Sequence, residues 1–307
     1  MKIKLFLFIS TFVFHFLSSQ EVTEKNLLIK NDSIELPGTL TYTKNSKNLV
    51  IWVHGSGNVD RNGNQVGANV KANYIKQFRD EINKNEIAFY SYDKRTANPK
   101  NAAFLEGVLL DDFVNDVKKV IAHFKKENTF SKITLIGHSQ GSLIAMLASE
   151  KVTKYISLAG PGESIDKSIT KQVTAQSAEL GKTTEDHFKE LKDTGDVKEV
   201  NPFLVSIFAK QNLPFIRNWM SYNPLEEIEK VKIPVLIING TRDLQVKVTD
   251  ANALKAAKKN AQLVIIENMN HVIKVIEKEE DNLKSYFSPD FKVSSELVKV
   301  ITKFVNE

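Results

Sequence analysis

The pentapeptide GHSQG places Ser139 between two glycines, directly after a run of strand-forming residues. A very tight turn from a strand into a helix requires glycine at both flanking positions, because side chains there would collide with neighbouring elements. Such a turn exposes the serine at the carboxyl end of a sheet, and the following helix directs backbone N–H groups to the same place. The motif therefore predicts a nucleophilic serine, provided that the chain also supplies a base.

A serine hydroxyl needs a general base to become a useful nucleophile. Catalytic groups in open α/β sheets gather at the carboxyl ends of strands. Of the six histidines, His271 is the one in a loop that follows a late strand, so we expect it to be the base. The others fall in the N-terminal segment, an early loop, a helix, the GHSQG turn and a strand-free segment: His15, His54, His123, His138 and His187.

The base needs a carboxylate that orients it, and Asp243 follows a strand that lies between Ser139 and His271 in the sequence. A carboxylate there would hold the imidazole in the tautomer that accepts the serine proton. The order Ser, Asp, His is the one expected of this type of scaffold. Asp250 is a competitor, but it opens a predicted helix and is expected to cap it.

An oxyanion formed on a substrate also needs hydrogen-bond donors. The backbone N–H of Gln140, next to the nucleophile, supplies one donor. The second is expected from Ser56 in the loop HGSGN, where Gly57 allows close backbone approach. His54 is assigned a structural role in fixing this loop.

Strands alternate with amphipathic helices through most of the chain. Because the strands are apolar throughout and separated by helices, they predict an α/β fold with a mostly parallel sheet covered by helices on both faces. The predicted strands cover residues 48–55, 86–93, 132–138, 154–160, 232–240 and 261–268.

The pattern changes between residues 161 and 230, where strand runs disappear and prolines break the chain into short helical pieces. We interpret this segment as a helical cap inserted into a core formed by residues 21–160 and 231–307. Its apolar residues are candidates for a substrate pocket or for packing of the cap: Phe203, Leu204, Ile207, Phe208, Phe215 and Trp219.

These motifs together resemble the α/β-hydrolases, and most closely a bacterial serine esterase branch. The resemblance covers nearly the whole chain after residue 20, through HGSGNVDR (54–61), YDKR (92–95), GHSQG (137–141), GTRDLQV (240–246) and NMNH (268–271). It implies Ser139 as nucleophile, Asp243 as acid and His271 as base, with Ser56 and Gln140 in the oxyanion hole. Two departures are Ser142, where relatives usually carry glycine, and the cap, which resembles nothing assignable.

Four charged residues near these motifs invite a role in substrate binding: Asp60, Arg61, Asp93 and Arg95. We expect instead that they pair with one another and pin the oxyanion loop to the end of the next strand, because paired charges near a cleft are more often supports than ligands.

The first twenty residues predict a secretory signal peptide. Two lysines precede an apolar run from Leu5 to Leu17, which is short for a membrane span, and a small polar pair follows. The protein is therefore expected to be exported to the periplasm or secreted, with no stable membrane span after cleavage; an uncleaved anchor is the alternative. The chain has no cysteine, which excludes disulfides, thiol nucleophiles and thiolate metal sites.

The sequence predicts an exported serine hydrolase that cleaves small-molecule carboxylic esters through an acyl-enzyme, without metal or cofactor. Nucleic-acid binding is disfavoured, because the net charge of +5 includes no basic block with interleaved aromatic residues. One alternative is an aminopeptidase-type enzyme of the same fold with an amine site at Glu163, Glu185 or Asp186. Another is a hydrolase-like binding protein without turnover. The sequence predicts no oligomeric state.

Overall fold

The computed structural model describes residues 21–68 and 70–307, so the predicted signal peptide lies outside the described residues. Eight strands of this described part form one sheet. They are β1 (Thr23–Asn31), β2 (Ile34–Tyr42), β3 (Asn48–Val53), β4 (Ala88–Tyr92), β5 (Lys132–His138), β6 (Lys154–Leu158), β7 (Val235–Gly240) and β8 (Gln262–Ile266).

The strands are arranged in the order β1-β2-β4-β3-β5-β6-β7-β8. All neighbours from β4 to β8 are parallel, whereas β1 and β2 form an antiparallel hairpin that also pairs antiparallel with β4. The sheet is thus mostly parallel, as predicted. In a parallel arrangement the carboxyl ends of β3 to β8 meet at one edge, which is where the candidate residues lie.

Eleven α-helices occur in the described part of the chain. They are α1 (Tyr74–Asn83), α2 (Leu110–Glu127), α3 (Gln140–Ala148), α4 (Ile165–Thr174), α5 (Ala178–Thr194), α6 (Val205–Phe208), α7 (Leu213–Met220), α8 (Pro224–Lys230), α9 (Val248–Ala257), α10 (Glu279–Ser285) and α11 (Ser295–Asn306).

The sheet has a buried apolar cluster on each face, because successive side chains of a strand point to opposite sides. In β3, Leu49, Ile51 and Val53 belong to the cluster covered by α2, α3 and α9. Val50 and Trp52 belong to the opposite cluster, which α1 and α11 cover. Central strands that are buried on both faces explain the fully apolar runs in the sequence.

The segment between β6 and β7 contains α4 to α8. Part of it packs around a separate apolar cluster that includes Phe188, Leu191, Leu204 and Phe208. Its last helix, α8, instead contributes Ile228 to the main core. No helix of residues 21–68 and 70–307 is long and apolar enough to cross a membrane.

Four features of the fold differ from the sequence prediction. The hairpin of β1 and β2 and the short helix α10 were not predicted. Helix α1 begins at Tyr74, so Val70, which matched its apolar spacing, lies before the helix and pairs with Gln65 in an isolated bridge. The strand after residue 232 begins at Val235, since Pro234 lacks the N–H that a central strand donates.

Candidate active site

Ser139 occupies the turn between β5 and α3, and the space around its two glycines explains the motif. A Cβ at Gly137 would lie 2.4 Å from the carbonyl oxygen of Gly141, and one at Gly141 would lie 2.2 Å from that of Val53. Both separations are far below van der Waals contact with rigid backbone. Only glycine therefore allows α3 to start so close to β3 and β5.

The backbone of Ser139 has φ 56° and ψ −125°, a conformation that non-glycine residues rarely adopt. Strain of this kind costs about 1–3 kcal/mol and is concentrated at functional sites. Two backbone hydrogen bonds hold the turn. The N–H of Ser139 donates to the carbonyl oxygen of Leu158 (3.0 Å), and the N–H of Ser142 donates to that of Ser139 (2.9 Å). It leaves Ser139 half-buried at the N-terminus of α3.

Ser142, which stands where the α/β-hydrolases usually carry glycine, has a structural role in the core. Its Oγ lies 2.8 Å from the Tyr155 hydroxyl and 2.8 Å from Ser157 Oγ, and its side chain is fully buried. The hydroxyl is thus satisfied below the turn and does not compete with Ser139.

His271 and Asp243 form a buried pair at the carboxyl ends of β8 and β7. Nδ1 of His271 lies 2.8 Å from Oδ2 of Asp243, and the side chains are 5% and 1% exposed. Oδ1 of the same carboxylate accepts the backbone N–H groups of Gln245 (2.7 Å) and Val246 (2.9 Å). With Nδ1–H donating to the carboxylate, Nε2 of His271 is left as the acceptor.

Asp250, the competing carboxylate, is engaged elsewhere. Its Oδ1 accepts the N–H of Gly162 at 2.9 Å, and its Oδ2 accepts the N–H of Lys247 at 3.1 Å. Lys247 is the N-cap of α9, so Asp250 closes the first turn of that helix, as expected from its position.

His138, which the sequence reasoning passed over, supports the loop that carries His271. Its Nε2 donates to the carbonyl oxygen of His271 at 2.8 Å, and the two rings lie 4.8 Å apart. Burial lowers the pKa of His138 to about 3, so its ring is neutral at physiological pH. The available signal was its place inside the GHSQG turn, which brings residue 138 to the carboxyl edge of β5.

The loop that carries Ser56 runs beside the serine. A Cβ at Gly55 would lie 3.1 Å from Cβ of Ser139. Ser56, Ser139 and Gln140 line one cavity, and Gln140 is the first residue of α3, so its N–H has no partner within the helix. The residues of the two predicted oxyanion donors therefore line the same cavity as the predicted nucleophile.

Lys94 is a second functional candidate that the sequence reasoning did not single out. Its Nζ donates to Gly55 O at 2.7 Å and to Gln140 Oε1 at 2.9 Å, and the residue is 5% exposed. Burial lowers its pKa to about 7. The signal for it was the run YDKR directly after β4, at the carboxyl edge of the sheet.

His54 anchors the start of the oxyanion loop, which is the structural role expected of it. Its Nε2 contacts the carbonyl oxygen of Tyr92, and burial lowers its pKa to about 4. The neutral ring donates this hydrogen bond and ties the end of β3 to the end of β4.

The charged residues near the loop form supports, but not all with the expected partners. Arg61 and Asp93 make a bidentate pair, with Nε–Oδ1 2.9 Å and NH2–Oδ2 2.7 Å. Arg95 instead pairs with Asp116 of α2, with Nε–Oδ2 2.7 Å, which corrects the expectation that it pairs within the group. Asp60 accepts backbone N–H groups of its own turn, so it pairs with none of the other three by a side-chain bond.

A large cavity of about 1150 Å³ lies between the sheet edge and the helical segment. Its wall is mostly apolar, with neutral amides, and Lys94 and Glu106 are its charged members. Of the six apolar cap residues, Ile207, Phe215 and Trp219 line it. Leu204 and Phe208 are instead buried within the cap, and Phe203 is 81% exposed.

Ser139 also lines a smaller cavity of about 220 Å³. Ser56, Ser139 and Gln245 line both cavities. His271 lines the small one, together with residues of the oxyanion loop and with Tyr286 and Phe287. Ser139 therefore lies where two unequal spaces meet.

The model of the BD-FAE family matches residues 39–257, which is more than two thirds of the chain. The chain belongs to the BD-FAE family. The matched range includes Ser139 and Asp243 and ends before His271. No curated protein matches the chain.

Similar solved structures show that the chain has the α/β-hydrolase fold. Est1E from Butyrivibrio proteoclasticus is 18% identical, with 91% of this chain and 95% of that chain covered and a TM-score of 0.56. An esterase of Pyrococcus furiosus is 17% identical, with coverages of 94% and 91% and a TM-score of 0.58. Pyrococcus horikoshii acylaminoacyl peptidase is 14% identical, with coverages of 95% and 42% and a TM-score of 0.57.

Proposed function

We propose that this protein is a serine hydrolase that cleaves carboxylic esters through an acyl-enzyme intermediate. The observation that carries the proposal is the buried pair of Asp243 and His271, 2.8 Å apart, beside a small cavity that Ser139 also lines. A serine in a strained turn, a neutral imidazole and an orienting carboxylate are the parts that nucleophilic catalysis by serine requires.

In the first half of the reaction, Nε2 of His271 accepts the proton of the Ser139 hydroxyl while Oγ attacks the ester carbonyl. The carbonyl oxygen becomes an oxyanion that accepts hydrogen bonds from the N–H groups of Ser56 and Gln140. As the tetrahedral intermediate collapses, the bond to the alcohol oxygen breaks, and imidazolium His271 returns the proton to the departing alcohol.

In the second half, a water molecule gives a proton to Nε2 of His271 and attacks the acyl carbonyl on Ser139. The same donors hold the second oxyanion. Collapse releases the carboxylic acid and returns the proton to Oγ of Ser139. Throughout the cycle, Asp243 stabilises the imidazolium and keeps Nδ1 protonated.

The charges around the site favour ester substrates over peptides that have a free amino terminus. An enzyme that binds a free amino terminus needs an acidic group in its cavity. Glu163 pairs with Lys171 at 2.6 Å, Asp186 lies 3.6 Å from Lys182 at an exposed position, and Glu185 is exposed. None of these three predicted amine ligands lines either cavity, and Glu106, the one carboxylate in the lining of the large cavity, is exposed. The similar solved structures include proteins named esterase and acylaminoacyl peptidase, so both substrate classes belong in the test.

The test is to compare hydrolysis of p-nitrophenyl esters with that of free and N-acetylated aminoacyl p-nitroanilides. We expect turnover of the esters and little of the anilides. Ser139→Ala should lose ester turnover by several orders of magnitude while keeping the melting temperature close to wild type. Turnover of anilides alone would overturn the ester assignment, and equal activity of the alanine variant would overturn the nucleophile.

We also propose that the protein is exported. The support is the sequence of residues 1–20, in which two lysines precede an apolar run that is short for a membrane span. Expression of the full chain with fractionation and N-terminal sequencing tests this. We expect a mature N-terminus near residues 18–20 in the exported fraction. Retention of the intact N-terminus in the cytoplasm would contradict the proposal.

A further inference from the structure

Two cavities of very different size meet at Ser139. The large one encloses about 1150 Å³ and the small one about 220 Å³. Pockets that bury a drug-sized ligand enclose roughly 300–1,000 Å³, so the first exceeds this range and the second falls below it. An ester consists of an acyl group and an alcohol group. The two cavities differ enough in volume to distinguish these two groups by size.

The position of His271 decides which half occupies which cavity. The imidazole must give its proton to the oxygen of the departing alcohol, so that oxygen has to lie within hydrogen-bond reach of Nε2. His271 lines the small cavity but not the large one. Gln140, whose N–H binds the oxyanion, lines the large cavity but not the small one.

We propose that the small cavity is the leaving-group subsite and the large cavity is the acyl subsite, so that the preferred substrates are esters of bulky acids with short alcohols. This inference rests on the proposed function. The acyl group is largely apolar, because Ile165, Ile169, Phe215 and Trp219 line the large cavity together with neutral amides. Of its two charged members, Lys94 is bound to Gly55 O and Glu106 is exposed. The wall of the small cavity includes Gly63 and Ala72, yet Tyr286 and Phe287 limit its extent.

Two isomeric esters separate the halves directly. Ethyl octanoate and octyl acetate have the same formula and nearly the same hydrophobicity, but they carry the long chain on opposite sides of the carbonyl. We expect kcat/KM, measured by pH-stat titration, to be at least about tenfold higher for ethyl octanoate, since lost contacts in one pocket change rates by roughly 10- to 200-fold. Equal rates, or a preference for octyl acetate, would overturn the assignment.

Variants in the walls provide a second readout. Ile169→Trp should fill part of the acyl subsite and lower the ratio of ethyl octanoate to octyl acetate, whereas Phe287→Ala should widen the leaving-group subsite and raise the rate on octyl acetate. Phe203→Trp is the matched control, because Phe203 is 81% exposed and lines neither cavity. A ratio that neither wall variant changes would contradict the assignment.

A failure of this inference can be distinguished from a failure of the proposed function. Hydrolysis of p-nitrophenyl acetate has an activated leaving group and a minimal acyl group, so it reports the serine chemistry with little demand on either subsite. If Ser139→Ala abolishes that activity while the isomer ratio is near one, the function stands and the subsite assignment fails. If the wild type does not hydrolyse p-nitrophenyl acetate, the proposed function itself fails.

A separate observation concerns Lys94, which connects the loop that carries Ser56 to the side chain of Gln140. Its Nζ donates to the carbonyl of Gly55, the other side of the peptide whose N–H belongs to Ser56, and also to the side chain of Gln140. Hydrogen bonds in a chain polarise one another in a buried setting. The geometry points to Lys94 as a positioning residue that fixes the peptide of Gly55 and Ser56, and with it the Ser56 N–H, against the first residue of α3.

Lys94→Met keeps the apolar stem and removes both hydrogen bonds. We expect kcat to fall by about 10²-fold with KM within twofold of wild type, because loss of one oxyanion donor costs about 10²–10³ in kcat. Affinity for a trifluoromethyl ketone, which forms an oxyanion on Ser139, should fall by a similar factor. A folded variant with kcat within threefold of wild type would overturn the role.

Chemical rescue distinguishes positioning from general support of the fold. Lys94 lines the large cavity, so Lys94→Ala leaves a space that is reachable from the substrate side. Added propylamine, which can donate to both oxygens, should restore more of kcat than propanol, whose one hydroxyl proton can donate to only one of them. Equal effects of both additives would show that the two hydrogen bonds of Lys94 are not needed together and would contradict the proposal.

Discussion

Replacing Asp243 by asparagine should disable the base without changing the shape of the site. The backbone N–H groups of Gln245 and Val246 donate to Oδ1, at 2.7 and 2.9 Å, and they require an oxygen at that position. The amide NH2 of asparagine is therefore directed to the other position, 2.8 Å from Nδ1 of His271. Two donors cannot face each other, so the imidazole must carry its proton on Nε2 and cannot accept one from Ser139.

The expected loss of activity follows from this change in the tautomer of His271. A triad with the imidazole in the wrong tautomer loses about 10⁴-fold in kcat, which corresponds to about 5 kcal/mol of transition-state stabilisation. We expect kcat/KM of Asp243→Asn on p-nitrophenyl butyrate to fall by this factor, with far-ultraviolet circular dichroism unchanged. Stopped-flow kinetics with an active-site titration would exclude contamination by wild-type enzyme.

Asp250→Asn is the matched control, because Asp250 caps α9 through Gly162 and Lys247 and does not contact His271. It should lower stability by about 1 kcal/mol and leave kcat/KM within threefold of wild type. The reasoning would be refuted by an Asp243→Asn enzyme with more than a tenth of wild-type activity, or by equal losses in both variants.

Three further changes test the parts that hold the site. Burial lowers the pKa of His54 from 6.5 to about 4. The unfolded chain therefore binds a proton at a higher pH than the folded protein does, and the free energy of unfolding decreases as the pH falls from 6.5 to 4. In urea titrations, His54→Gln should lose roughly 3 kcal/mol less of its free energy of unfolding than wild type over this pH range. Gly141→Ala, whose Cβ would lie 2.2 Å from Val53 O, should abolish activity and lower stability by about 1–3 kcal/mol or more, measured by thermal melting. Arg95→Met should destabilise the fold by about 3 kcal/mol, because it strands buried Asp116, while ester KM stays within twofold; a large rise in KM would instead assign Arg95 to substrate binding.

The central strands could be predicted because burial on both faces makes them continuous apolar runs. The hairpin of β1 and β2 could not be found in this way, since β1 is largely exposed and its one apolar run, Leu27 to Ile29, is flanked by polar residues. Its remaining signal in the sequence is Asp32, a residue type that tolerates the positive φ (53°) observed in the two-residue turn between the strands. Helix α10 is short and rich in acidic residues, so it lacks the apolar stripe that identifies a helix.

The predicted site residues follow from local motifs, whereas their supports depend on tertiary contacts. Lys94 follows β4 and contacts the residues that follow β3 and β5, and His138 at the end of β5 contacts the loop after β8. Such contacts between distant segments have no fixed spacing in the sequence. The same limit applies to the cap. Phe203 and Phe208 are equally apolar, but one is exposed and the other fully buried, because their environments depend on how α5, α6 and α7 pack.

The identity of the nucleophile is the central claim, and trapping it tests that claim most directly. The mature protein would be treated with a fluorophosphonate, digested and mapped by tandem mass spectrometry, with Asp250→Asn as a reactive control and Ser139→Ala as the negative one. We predict one stoichiometric adduct, on Ser139, formed at a rate that falls when His271 is replaced by alanine. An adduct on any other residue, or efficient ester hydrolysis by a protein that forms none, would contradict the account.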